Sequence, residues 1–258
     1  MPIAFDATCP DTSAQSVASL TSGSWTVAGS NRAVFGCIGT GAGTPTTHTA
    51  MRWRGSAGDL LAQIGATLTV NAPSRLSAWG SNGASLPPAA EANTAYGLWA
   101  ATQDEDLIAM VSYTGVHQTT PNGSSTTNTG TISGTSGTAT VTIATTAGDV
   151  VLAYVLVDCF ATPSTPVLTP ASSADGTPTE RHFNNANVGG WKAMGVYEMA
   201  AVDTSTIINV SITSVDNGSG WGVIAFVINA AAASGQALDE TSWHQTGPQT
   251  NPLTVSVW

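Results

Sequence analysis

Thr138-Ala139-Thr140-Val141-Thr142-Ile143-Ala144-Thr145 and, after a short turn, Val150-Val151-Leu152-Ala153-Tyr154-Val155-Leu156-Val157 decide the fold. The first stretch alternates. Ala139, Val141 and Ile143 share one face and the Thr hydroxyls share the other, which is the period of a half-buried β-strand. The second does not alternate and stays largely apolar as far as Phe160. A strand that is apolar on both faces is buried on both faces. Ala33 to Ile38 and Val223 to Ile228 read the same way. In an antiparallel sandwich the second cover comes either from the chain's own long loops or from another subunit, and the sequence supports both equally.

Working outward, further strands follow the alternating pattern. Ile208, Val210 and Ile212 alternate with Asn209, Ser211 and Thr213. Trp191, Ala193, Gly195, Tyr197 and Met199 fall on one side of another strand. Turn clusters separate them at 39–47, 80–90, 119–137, 162–179 and 216–220. The Thr/Ser/Asn/Gly-rich stretch 119–137 reads as an exposed loop or a weak edge strand. Leu86 to Ala92 is the best place for a short helical turn or connector. Sustained helical periodicity is absent, and no period of 20 to 50 residues repeats. The expected fold is all-β, an antiparallel double-sheet sandwich of jelly-roll type over residues 1–230. Residues 231–258 change character and read as a linker and extended C-terminal arm. The arm carries Trp243, Pro248 and Pro252, and then alternating Leu253, Val255 and Val257 before Trp258. Exposed Trp is costly without a partner, so these seven residues form the expected partner interface.

The 258 residues carry 6 Lys+Arg against 16 Asp+Glu, a net charge of −10, and only 9% are charged. The apolar content and 8 Trp exclude a disordered chain. No apolar run is long enough to span a membrane as a helix. Met1 to Asp6 lacks the basic and apolar regions of a secretory signal. Six scattered basic residues do not make a phosphate-tracking surface, so no nucleic-acid partner is expected.

Candidate chemistry is sparse. Cys9, Cys37 and Cys159 are widely spaced and suit buried thiols better than zinc ligands, with a Cys9–Cys37 bridge left open. His48, His117, His182 and His244 are assigned to loops or the arm, none beside another, and no nucleophile elbow is present. No catalytic, cofactor or metal residue is expected, and the chain is read as a non-enzyme. The acidic run Asp104-Glu105-Asp106 reads as a solvated turn rather than a Ca²⁺ loop. Lys192 is the only lysine. An autocatalytic isopeptide bond of the kind found in some β-sandwich adhesins would need it buried beside an acid, and its neighbours Trp191 and Ala193 suggest that it faces solvent instead. Arg52, Trp53 and Arg54 read as an edge strand with Arg guarding against aggregation, or as a contact for an anionic surface. Trp79, Trp99, Trp191 and Trp221 are expected in the core.

Five motifs carry a resemblance. They are Phe5-Asp6-Ala7-Thr8, Ser30-Asn31-Arg32-Ala33-Val34-Phe35, Ser112 through Pro121, Ala147-Gly148-Asp149-Val150-Val151 and Gly220-Trp221-Gly222-Val223-Ile224. In that order, over roughly residues 3 to 230, the chain resembles a β-sandwich domain that recurs in bacteriophage virion proteins and some bacterial surface proteins. Met51-Arg52-Trp53-Arg54 and the arm depart from the pattern. The resemblance implies an outer-surface virion part assembled in the host cytoplasm: a capsid decoration (cement) or minor capsid protein. It would bind the major capsid protein or another virion protein and form a homo-oligomer, with a trimer favoured. The other reading is a glycan- or receptor-binding module of a fibre or adhesin.

Overall fold

A computed structural model describes residues 2–41, 46–71, 74–83, 87, 91–159, 165–185 and 192–231. The chain is all-β. Twelve strands come from the first half: β1 Ala4–Thr8, β2 Thr12–Ala14, β3 Val17–Thr21, β4 Trp25–Val27, β5 Ala33–Gly41, β6 His48–Trp53, β7 Asp59–Leu60, β8 Ala62–Asn71, β9 Ser74–Gly80, β10 Glu91–Asn93, β11 Ala95–Gln103 and β12 Glu105–Thr114. Eight come from the second: β13 Asn122–Thr131, β14 Ser136–Ala144, β15 Val150–Asp158, β16 Val167–Ala171, β17 Thr179–Asn185, β18 Lys192–Ala200, β19 Ser205–Thr213 and β20 Gly220–Ile228. No helix long and apolar enough to cross a membrane occurs among the described residues.

The strands form two antiparallel sandwiches with one wiring. In the first half the inner sheet runs β1-β12-β5-β9-β8, with β2 continuing the edge against β12, and the outer sheet runs β3-β11-β6-β7. In the second half the inner sheet runs β13-β20-β15-β18-β17 and the outer sheet β14-β19-β16. Numbering the eight shared strands of each half in chain order gives 1-8-3-6-5 and 2-7-4 both times. The register repeats as well. Ala33 faces Tyr113 and Gly41 faces Glu105 in one half, and Val150 faces Ile228 and Asp158 faces Gly220 in the other. The repeat is therefore half the chain long, well beyond a period of 20 to 50 residues.

Three cores alternate with the four larger sheets, and β4 and β10 pair as a separate two-stranded sheet. Val34, Ile38, Met51, Trp53, Trp79, Trp99, Ile108 and Met110 fill the first sandwich. Ala139, Val141, Ile143, Val151, Val155, Ile208, Val210 and Val223 fill the second. Between the two inner sheets lies a third layer, with Phe35, Leu107, Val111 and Tyr113 on one side and Leu152, Tyr154, Met194, Ile224 and Phe226 on the other. This layer is why the strands β5, β15 and β20 are apolar on both faces. One set of side chains packs within its own sandwich and the alternate set packs against the other sandwich. The cover is the other half of the same chain, which replaces both the long loops and the second subunit expected from sequence. Each fully buried Leu, Val or Phe in that layer contributes on the order of 1.5–3 kcal/mol.

Turn chemistry sets the strand entries. Asn31 takes a positive φ of 49° just before β5, and Gly148 one of 93° just before β15. Gly115 leaves β12 at φ 70°, where a Cβ would also strike the carbonyl of Pro2, so only glycine fits there.

Candidate functional site

Two polar clusters close the ends of the inter-sandwich layer. They arise because strand alternation carries a few charged residues into positions otherwise filled by apolar ones. On β18, Lys192 shares its face with Met194 and Val196. On β15, Asp158 shares its face with Leu152, Tyr154 and Leu156. Asp158 and Lys192 are direct cross-strand partners. Across the layer, Glu105 shares its face with Leu107, Ala109 and Val111 on β12.

At this end Lys192 Nζ lies 3.0 Å from Asp158 Oδ1 and 3.2 Å from Glu105 Oε2. Ser74 Oγ donates to Asp158 Oδ2 at 2.6 Å. The Lys192 and Glu105 side chains are 6% and 3% exposed. The lysine stem lies over Gly41, where any Cβ would overlap Lys192 Cε and Nζ. Asp106, the next residue after Glu105, turns to the opposite face and is also fully buried, and burial pushes its carboxyl up to about 8 against the opposing pull of Lys192.

At the other end Arg181 donates from Nε to Glu198 Oε2 at 2.8 Å and from Nη2 to Oε1 at 2.9 Å. Tyr113 donates its hydroxyl to Glu198 Oε2 at 2.7 Å, and the guanidinium sits 4.6 Å over the Phe5 ring. Burial and the Glu198 carboxylate hold the Tyr113 hydroxyl well above its ordinary range.

Several sequence expectations change here. Lys192 is buried against two acids rather than facing solvent, because its strand face is the apolar one toward the other sandwich. Glu105 and Asp106 begin a buried strand rather than forming a solvated turn, and only Asp104 is exposed. His48 lies in β6, buried, with Nε2 2.8 Å from Thr40 Oγ1 and Nδ1 2.6 Å from Ser77 Oγ. Burial lowers its pKa to about 3, so it is a neutral core histidine. His182 lies in β17, buried, with Nδ1 3.0 Å from Thr8 Oγ1. His117 sits in a loop, as expected, where its Nδ1 accepts from the Thr120 amide at 3.1 Å. The three cysteines are free and buried. Cys9 packs in the first sandwich and Cys37 points into the inter-sandwich layer, so the two are not bridged.

Arg52 and Trp53 lie in β6 between β11 and the short β7, inside the outer sheet rather than at its edge, and Arg54 follows β6 in a bend at a positive φ of 74°. Trp53 is fully buried, edge-on to Trp25 with ring centroids 5.1 Å apart. Arg54 is held by Glu91 and Asp59, its Nε 2.8 Å from Glu91 Oε1. Arg52 is half-buried and donates to the Gly58 carbonyl at 2.8 Å. Trp79, Trp99 and Trp221 are buried in sandwich cores, as expected. Trp191, His244 and the seven arm residues Trp243, Pro248, Pro252, Leu253, Val255, Val257 and Trp258 lie outside the described residues.

A shallow open groove remains on the second sandwich. Ser124, Thr145, Thr146, Asp149 and Asn229 line it, and beside it β13 presents Ser, Thr and Asn side chains along an exposed edge. Among the described residues no group of His, Cys, Asp or Glu is arranged to hold a metal ion. Comparison of the chain with protein-family models, curated proteins and solved structures finds no match.

Proposed function

We propose that the protein is a non-enzymatic structural part of a virion surface, a capsid decoration or minor capsid protein that docks on a shell. We read each eight-strand unit as a jelly roll whose fifth strand has crossed to the inner sheet. The observation that carries the proposal is the outer edge of the second sandwich. Along β13, ten residues of Asn, Gly, Ser and Thr form a largely exposed edge strand without a charged side chain. Such a surface loses little side-chain entropy when it packs against a neighbour. The partner in this reading is the major capsid protein or another virion protein, with residues 231–258 as the gripping arm and a homo-oligomer, a trimer, on the shell. Because the doubly apolar strands are covered within one chain, the oligomer now rests on the arm and the edge rather than on those strands.

The groove favours a second reading. Its hydroxyls, amide and carboxylate are the donor and acceptor set that recognises a glycan, as a fibre or adhesin module would. One experiment separates the two. The full chain and a chain ending at Ala231 are mixed with particles lacking the protein and sedimented. Shell binding by the full chain alone supports the decoration reading. Equal retention of both forms, or retention of neither together with glycan-array binding, contradicts it.

A further inference from the structure

We propose that Lys192 and Asp158 condense into a cross-strand isopeptide bond, with Glu105 of the opposite sandwich as the catalytic acid–base. The inference is independent of the virion reading. It rests on four observations. Nζ lies 3.0 Å from Asp158 Oδ1, and the two residues are directly paired on adjacent strands β15 and β18. The lysine, Asp158 and Glu105 side chains are 6%, 10% and 3% exposed, so bulk water does not compete at the reacting atoms. Glu105 Oε2 lies 3.2 Å from Nζ, within reach of the proton that must leave it. Ser74 Oγ donates to Asp158 Oδ2, which orients the carboxyl and leaves Oδ1 toward the amine.

The step balances without an oxidant or co-reactant. In a poorly solvated site the ion pair gives way to a neutral amine and a neutral carboxylic acid by transfer of one proton. Nζ then attacks Asp158 Cγ, and the C–N bond forms as the carbonyl π electrons move to Oδ2, beneath the Ser74 hydroxyl. Glu105 takes the proton from Nζ and returns one to Oδ1. The C–Oδ1 bond breaks, Oδ1 departs as water, and an amide remains. Holding the groups at contact distance supplies the effective concentration that an intermolecular condensation in water lacks. The bare Cα of Gly41 is part of the device, because it gives the lysine stem its bed. Since Glu105 belongs to the first sandwich and the bond to the second, the reaction runs only after the two have stacked.

The test is intact-mass spectrometry of the purified full chain, followed by peptide mapping. We expect the folded protein to weigh less than its sequence by one water, with a branched peptide joining residues 158 and 192. Lys192→Met and Asp158→Ala restore the full sequence mass. Glu105→Gln leaves the chain at full mass or slows the loss. Asp158→Asn, if it condenses, releases ammonia instead and gives the same product mass as the parent. A parent chain at full sequence mass with a folded circular-dichroism spectrum overturns the proposal. So does a water loss that maps elsewhere, such as a succinimide at Asp175.

Discussion

Arg181 grips Glu198 through two parallel hydrogen bonds at one end of the inter-sandwich layer, with a quarter of its side chain still exposed. At the other end Lys192 meets Asp158 and Glu105 with almost no exposure. Water screens the first cluster, and the planar guanidinium adds geometric fit and stacks on Phe5. The second is desolvated, so until it condenses its three charges depend on one another. An ion pair left partly wet trims the edge of an apolar layer. A dry one becomes a point where removing a single partner takes a buried contact from the others.

The comparison breaks most readily at the dry end. Lys192→Met removes the side chain that Glu105 and Asp158 share and with it the condensation, and we expect a loss of about 3–5 kcal/mol by urea unfolding. Gly41→Val pushes a side chain into the space of the lysine stem and is expected to cost about 3 kcal/mol. At the wet end Arg181→Met is expected to cost about 1–2 kcal/mol, and that loss should shrink in high salt. A double-mutant cycle on Lys192 and Asp158 should give a larger coupling than one on Arg181 and Glu198. Equal couplings would erase the distinction between the two ends.

A pH profile sharpens the contrast on the far face of β12. The folded pKa of Asp106 is raised to about 8 from 3.8, so between those values the native state holds a proton that the unfolded chain has lost. Stability therefore falls as pH rises from about 4 to about 8. His48 acts in the opposite sense. Its pKa is lowered to about 3 from 6.5, so its contribution is present above pH 6.5 and is lost as pH falls toward 3. From about pH 6.5 to 8 only the Asp106 slope remains of the two. Asp106→Asn should remove that fall, as read by melting temperature across the range. The smallest effect is expected at Arg52→Ala, within about 0.5 kcal/mol, since the half-buried side chain gives up one contact to a turn carbonyl.

Much of the fold was legible in the sequence, and the reason is local. The Thr138 to Thr145 alternation places Ala139, Val141 and Ile143 in a core, and the run beginning at Val150 is buried on both faces. What covers that second face was not legible. Side-chain period reports that a face is buried, and says nothing of whether loops, another subunit or the other half of the chain buries it. The duplicated wiring was hidden for a related reason. Phe35 and Leu152 occupy matching positions with different side chains, so the likeness lives in register rather than in residue identity. The Lys192 cluster is hidden because neighbours in sequence fall on opposite faces of a strand, so Trp191 and Ala193 do not report the face of Lys192. The usable signal was two residues on. Lys192, Met194 and Val196 share a face, and Asp158 closes an apolar run that has no wet side. The arm, the gripping segment of the functional reading, lies outside the described residues.

The two sandwiches are one body, each supplying the cover for the other's inner sheet. Differential scanning calorimetry of the full chain tests it most directly. One transition, with calorimetric and van't Hoff enthalpies equal and the midpoint of the whole chain lowered by Lys192→Met, is the predicted result. Two separable transitions, with Lys192→Met shifting only the one that belongs to the second sandwich, would contradict it.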